Sequence, residues 1–275
     1  MIRGIDHVVV LVDDLEAAMA RYRDLGFTVV PGGRHPSATE NALVCFRDGA
    51  YLELIAFWDA TDREHPFFHH LATGPGLIAY ALGVDDLEGT VSALRQRGVP
   101  YGDPQAGARR RPDGAEVVWK MAFHGDGATG GLPFLIEDVT DRAVRAPGGS
   151  ATDHANGSLG IDRLIVAVED VAAATETYAA LVGSSPPVQG VDSFDQQARV
   201  ARFRVGEHRI ELHQPNGSGP LTDRLAARGS GPYAVVLEGA SAREMLPSDA
   251  GGGRLRIVPR AHDDTAKEEQ GDGER

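Results

Sequence analysis

Apolar and polar positions follow one plan several times along the chain. Residues 5–12 form an almost unbroken run of Ile, Val and Leu, which reads as a buried strand. Two aspartates follow, and then Leu15, Ala18, Met19, Tyr22 and Leu25 recur at helical spacing until Gly26 ends the pattern. Residues 27–30 predict a strand, and "PGGRHPSATE" predicts a long loop. "NALVCF" and "AYLELIAF" then predict a hairpin turning at "RDGA". The order is β-α-β-β-β.

A second copy opens at "LIAYALGV" and passes through a helix over 87–97 that Gly98 and Pro100 close, with later strands at "EVVWKMAF" and "LPFLIED". "GIDRLIVAV" opens a third, with a helix to Leu181 and strands "ARVARFRV" and "HRIELHQP". The fourth is thin: "PYAVVLE", a short helix near 241–246, and "RLRIVP". "VDDLE" stands at both Val12–Glu16 and Val84–Glu88, and "VEDVAAA" at 168–174 has the same shape, which marks a duplicated unit. The Gly- and Ser-rich stretch "RAPGGSATDHANGS" has no hydrophobic period. It sets the expected boundaries: a first domain over 1–145, a linker over 146–158, a second domain over 159–260, and a disordered acidic tail over 261–275.

A length of 275 residues suits two domains, and 42% hydrophobic with 24% charged residues is an ordinary globular balance. No apolar run approaches the length of a membrane span and no signal-peptide core is visible, so a soluble, cytoplasmic protein with no membrane partner is expected. The net charge of -13 argues against nucleic acid. Cys45, the single cysteine, sits in an apolar run and reads as a core residue. No Walker loop, dinucleotide fingerprint or G-x-S-x-G elbow is present in the sequence, so no nucleotide cofactor is expected.

Paired β-α-β-β-β modules with a histidine in the first strand and a glutamate in the last resemble the vicinal oxygen chelate superfamily, and more narrowly its glyoxalase-like domain proteins. The strings that carry the resemblance are "GIDHVVVLVDDLEAAMARYRDLGFTVVPGGRHP", "YLELIAF", "RRRPDG" before a Trp strand, "LPFLIED" and "HANGSLGIDRLIVAVED". The resemblance implies an α+β fold in which tandem βαβββ modules curl mixed sheets into a cup, with two such domains, the second degenerate. It also implies a metal or ligand inside the cup, held from the first and fourth strands of each module.

Strand alternation puts His7 on a face with Ile5, Val9 and Leu11, and Glu53 on a face with Tyr51, Ile55 and Phe57. A carboxylate on such a face needs a cation, a proton or a metal. Carried over from the family, Glu137 of "LPFLIED" matches Glu53. His7, Glu53 and Glu137 then form a candidate ligand set for zinc, manganese, iron(II) or nickel. Ala79 stands where a second histidine would complete it; Tyr80 is a poor substitute, and His65, His69 or His70 serve only if their loop folds back. His7 as a core histidine paired with Glu53 is the competing reading, and for Glu137 it is a rim carboxylate.

Arg34, His35, Asn41, Arg110 and Trp119 are the candidate ligand-binding residues, with Glu137 and His35 as candidate proton carriers. Each has a plainer alternative: surface salt bridges for the arginines, with "GARRRPDG" a solvated loop, an exposed loop histidine, a loop cap, a core aromatic. In the second half Arg163 and Glu211 occupy the His7 and Glu53 positions and read as an internal salt bridge, leaving that half structural or dimer-forming. Three functions remain open: a metal-dependent lyase, isomerase or oxygenase acting on a small oxygenated molecule, a metal-free protein that binds or sequesters one, and a metal-free hydrolase or lyase with His35 or His7 as base, for which no nucleophile presents itself.

Overall fold

A computed structural model describes residues 1–125, 131–183, 189–191, 198–245 and 247–260. The expected tail lies outside the described residues. The first half runs β1 (Ile2–Leu11), α1 (Leu15–Asp24), β2 (Val30–Arg34), β3 (Thr39–Cys45), β4 (Tyr51–Phe57), β5 (Gly76–Val84), α2 (Leu87–Gln96), β6 (Gln105–Arg110), β7 (Glu116–Ala122), β8 (Phe134–Asp138) and α3 (Arg142–Arg145). Its eight strands close into a barrel in the order β1-β4-β3-β2-β6-β7-β8-β5. Closure therefore occurs within one chain.

The second half runs β9 (Ser158–Ala167), α4 (Val171–Val182), β10 (Gln189–Val191), β11 (Ala198–Val205), β12 (His208–Pro215), α5 (Pro220–Arg228), β13 (Gly231–Gly239), β14 (Arg243–Met245) and β15 (Leu255–Pro259). It forms a seven-stranded sheet in the order β10-β11-β12-β9-β13-β15-β14. No helix among the described residues is long and apolar enough to cross a membrane.

The repeated "VDD" has a local cause. Its last aspartate is a helix N-cap: Asp14 accepts from the Ala17 N–H, Asp86 from that of Gly89, and Asp170 from those of Ala172 and Ala173. Each strand therefore ends, turns and caps within three residues.

Three segments differ from expectation. β2 falls on Val30–Arg34 rather than on 27–30, because a bulge between Pro31 and Gly33 lets a Pro-Gly segment pair with β3. The arginine run is a strand: β6 pairs with β7 along its whole length. The expected short helix near 241–246 is instead strand β14 over its described part, paired with β15.

Two apolar layers hold the molecule. One fills the barrel, with Val9, Leu11, Ile55, Ala79, Ala81, Trp119 and Phe134 among its members. The other lies outside it, where Val8, Val10, Tyr80 and Leu82 share a cluster with Leu164, Val166, Val235 and Leu237 of the second sheet. The halves therefore share a core, reinforced by the Tyr80 and Tyr178 hydroxyls in contact and by the Ile5 N–H donating to His208 Nδ1 at 3.0 Å. Residues 146–158 are tied to the barrel as well: the Thr28 N–H donates to His154 Nδ1 at 3.0 Å, and His154 Nε2 bonds the Cys45 carbonyl at 2.9 Å.

The modules meet along β1 and β5 and, at a second and shorter seam, where β2 and β6 pair at Arg34 and Arg110. Gly33 makes that approach possible: its φ is +130°, and a Cβ there would run into the Arg110 carbonyl. Gly33→Ala is expected to destabilise the protein by about 2 kcal/mol or more, because both strain and overlap act against it. Urea unfolding checks this; a loss under about 0.5 kcal/mol, within the ordinary surface range, would show that the seam does not need glycine.

Candidate functional site

Strand parity decides which side chains enter the cup. β1 and β4 run parallel with His7 opposite Tyr51 and Val9 opposite Glu53. His7, Tyr51, Glu53 and Ile55 consequently line one wall of the cavity inside the barrel. From the other wall come Arg109, Trp119, Met121, Phe134 and Ile136, with His35, His65 and Phe67 near the loops.

A bulge in β1 breaks the alternation. Ile5 pairs with Leu82 and His7 with Ala81, so Asp6 is the extra residue and its side chain is buried beside that of His7. Asp6 Oδ1 lies 2.6 Å from His7 Nδ1. Arg145, only 1% exposed, donates to Asp6 through both Nη atoms at 2.9 and 2.8 Å, to Asp138 Oδ1 through Nε at 2.5 Å, and to the Tyr51 hydroxyl at 2.6 Å. Arg142 adds a bond from the partly exposed side. Burial alone would raise the Asp6 pKa, but the Arg145 charge and the bonds from His7 and Arg145 hold it well below the usual carboxylate range. Asp6 is thus a permanent anion behind His7.

His7 faces Glu53 with its other nitrogen: Nε2 is 3.5 Å from Glu53 Oε2, and the ring stacks on Tyr51 at 4.6 Å. Asn41 Nδ2 donates to Glu53 Oε1 at 2.5 Å, and His35 Nε2 stands 4.0 Å from the same oxygen. Burial pushes the Glu53 pKa up, yet His7, His35, the Asn41 bond and Arg109 together bring it below its ordinary value. Glu53 is therefore ionised at neutral pH and accepts protons only. His35 behaves oppositely: burial pulls it down to about 4, against the opposing pull of Glu53, so it is neutral at pH 7.

Several expectations need correction. Glu137 does not join His7 and Glu53. It shares the outer face of β8 with Leu135, and its Oε2 accepts from the Leu87 N–H at 2.7 Å. With Asp86 and Glu88 it forms the only group of three His, Cys, Asp or Glu donors within 4.8 Å of one another among the described residues. These carboxylates already serve the start of α2 and Lys120, whose Nζ is 2.8 Å from Glu88.

Arg110 is exposed, because parity along β6 turns Arg109 inward instead. Arg34 is also exposed, bonded to Glu40 at 3.0 Å beside Trp58. Asn41 is not a cup-lining group; it positions Glu53. His35 and Trp119 do line the cup, edge to face at 5.8 Å, with Trp119 lying against Gly107. His65 lines it as well, whereas Tyr80 points outward and His70 is buried elsewhere.

The metal reading can now be tested against the donors. His7 and Glu53 converge, but Ala79 and Ala81 face them from β5 and Glu137 is outside. Among the described residues, no third His, Cys, Asp or Glu atom lies within 4.8 Å of both. Two protein ligands fall short of the three that catalytic sites use, so the side chains as arranged do not fit the implied metal. In the second half Arg163 Nε lies 3.6 Å from Glu211 Oε2, the salt bridge expected there.

The closed barrel of duplicated βαβββ units defines a vicinal oxygen chelate fold. The model of the glyoxalase-like domain matches residues 5–182, and the chain belongs to that family. No curated protein matches in sequence. Among solved structures, a hypothetical protein from Staphylococcus aureus is 14% identical with a TM-score of 0.68, over 93% of this chain and 98% of that one. A triple mutant of 4-hydroxymandelate synthase from Streptomyces coelicolor is 17% identical, TM-score 0.59, over 86% and 71%. A xylose isomerase-like TIM barrel/4-hydroxyphenylpyruvate dioxygenase fusion protein is 20% identical, TM-score 0.52, over 87% and 37%. These likenesses are of fold.

Two outcomes follow. Arg145→Met leaves Asp6 and Asp138 buried without their main cation and should cost about 3–5 kcal/mol in urea unfolding, well above Arg142→Met, whose side chain is partly exposed; equal losses would show that the cluster is not centred on Arg145. His35 binds its proton in the unfolded chain near pH 6.5 but in the folded one only near 4. The unfolded state holds more protons between those values, so stability is full above about 6.5 and falls as pH drops toward 4. His35→Gln should lower the slope of unfolding free energy against pH in that window by up to about 1.4 kcal/mol per unit, one proton's worth. An unchanged slope would mean that His35 titrates as a solvated group.

Proposed function

We propose that the N-terminal barrel binds a small oxygenated organic molecule and that Glu53 accepts a proton from it without a protein-bound metal. The observation that carries this reading is the Glu53 carboxylate, 7% exposed, ionised, lining the cavity and held by Asn41 and His7. A charge kept in such a place needs a task or a full set of partners, and each carboxylate oxygen here retains a lone pair for a ligand. A C–H or O–H of the ligand next to Glu53 would lose its proton to a carboxylate oxygen. The Arg109 guanidinium, close enough to act on Glu53, would offset the charge that moves to the ligand. Neutral His35 supplies a polar contact at the mouth.

One observation favours a metal-dependent enzyme instead. Asp6 behind His7 is the kind of carboxylate–histidine pair that orients an imidazole toward a metal. Elemental analysis of untagged wild type, His7→Ala and Glu53→Gln separates the readings. The expected result is well under one equivalent of zinc, manganese, iron or nickel in every form. It is joined by solvent-deuterium exchange into small carbonyl compounds that Glu53→Gln slows by about 100-fold or more. One equivalent of metal in wild type, lost from both variants, would overturn the metal-free proposal.

A further inference from the structure

We infer that the molecule taken by this cup carries one carboxylate, and that Arg109 receives it. The inference rests on the cup being a ligand site and names the chemistry of the ligand. Arg109 is 3% exposed and lines the cavity. Its Nη2 donates to the Arg145 carbonyl at 2.6 Å, and its Nε has no partner. Among the described residues it has no carboxylate at ion-pair distance, whereas the other buried guanidinium of the barrel, Arg145, has both Asp6 and Asp138. A buried guanidinium left in this state is costly, and an arriving anion with a planar pair of oxygens would satisfy it.

The surrounding walls set the remainder of the molecule. Phe67, Trp119, Met121, Phe123, Phe134 and Ile136 give the cavity an apolar, largely aromatic lining. That lining suits a flat or aliphatic body. One free guanidinium, with ionised Glu53 close enough for each to feel the other's charge, favours a monoanion over a phosphate dianion.

The test is calorimetric titration of wild type, Arg109→Gln and Arg109→Lys with benzoate, phenylacetate and 3-phenylpropionate, with the three matching amides, and with phenyl phosphate. At least one acid is expected to bind wild type about 10-fold or more tightly than its amide. Arg109→Gln should erase that preference while amide binding changes by less than about 3-fold, and Arg109→Lys should keep part of it. A merely structural Arg109 would weaken acid and amide alike.

Equal binding of acids and amides to wild type, or a preference that survives in Arg109→Gln, would sink the carboxylate inference and leave the cup as a ligand site. Tighter binding of phenyl phosphate than of every acid would also overturn it, in favour of a phosphate ligand. Binding of none of these compounds would count against both the inference and the proposed function. If Arg109→Gln fails to fold, the wild-type acid and amide comparison with Arg109→Lys still decides the question.

Discussion

The two-pronged grip of Arg145 on Asp6 and Asp138 is the constraint on which the site depends. It joins the first strand of the barrel, the last strand, and the segment that leaves the barrel, all at one buried point. Buried ion pairs seldom add much net stability, since desolvation consumes most of the attraction. Their value here is positional. A bulge that turns an aspartate inward would be ruinous without a guanidinium waiting for it, and with one it fixes the rotation of everything next to it, His7 first.

From that point the electrostatics of the cup follow in order. Asp6 is held as an anion and occupies His7 Nδ1, which leaves Nε2 as the nitrogen that faces Glu53. Asn41 secures the other Glu53 oxygen. Arg142 and Arg145 are committed to the aspartates, so among the described residues Arg109 is the buried guanidinium of the barrel without a carboxylate at ion-pair distance. The cup is thus differentiated into an acceptor wall at Glu53 and a donor at Arg109, with an aromatic lining around them. Neither wall requires a metal for its charge to be tolerated.

Much of this was legible in the sequence because strands alternate. His7 and Glu53 were found on apolar faces by counting residues in twos, and the register confirms that they enter the cup from neighbouring strands. Alternation failed in three places for different reasons. Asp6 escapes a count in twos because a bulge suspends the alternation, and nothing in "GIDHV" announces one. Glu137 matches Glu53 in position but not in facing: β8 is apolar on both faces, so Leu135 beside it gives no sign of inside or outside. Arg109 lost to Arg110 because three successive arginines read as a solvated loop; once β6 is known to be a strand, parity chooses between them. Arg145 was beyond reach, since its partners lie 139 and 7 residues away in sequence.

The second half of the chain shows what the histidine contributes. "GIDHVVV" and "GIDRLIV" open β1 and β9, and the registers agree: Val9 opposes Glu53 in one, Ile165 opposes Glu211 in the other. The same framework therefore carries His7 against Glu53 in the barrel and Arg163 against Glu211 in the open sheet, where Arg202 also reaches Glu211 at 3.2 Å. His213 Nε2 also lies 3.2 Å from Glu211, but guanidinium stays protonated at any physiological pH, so neither Arg163 nor Arg202 has a proton to exchange with it. Imidazole can hold or release one and offers a lone pair when neutral. The residue at this one register position thus separates a half in which the glutamate faces two fixed positive charges from a half in which it faces an imidazole, at the wall of the barrel's cavity.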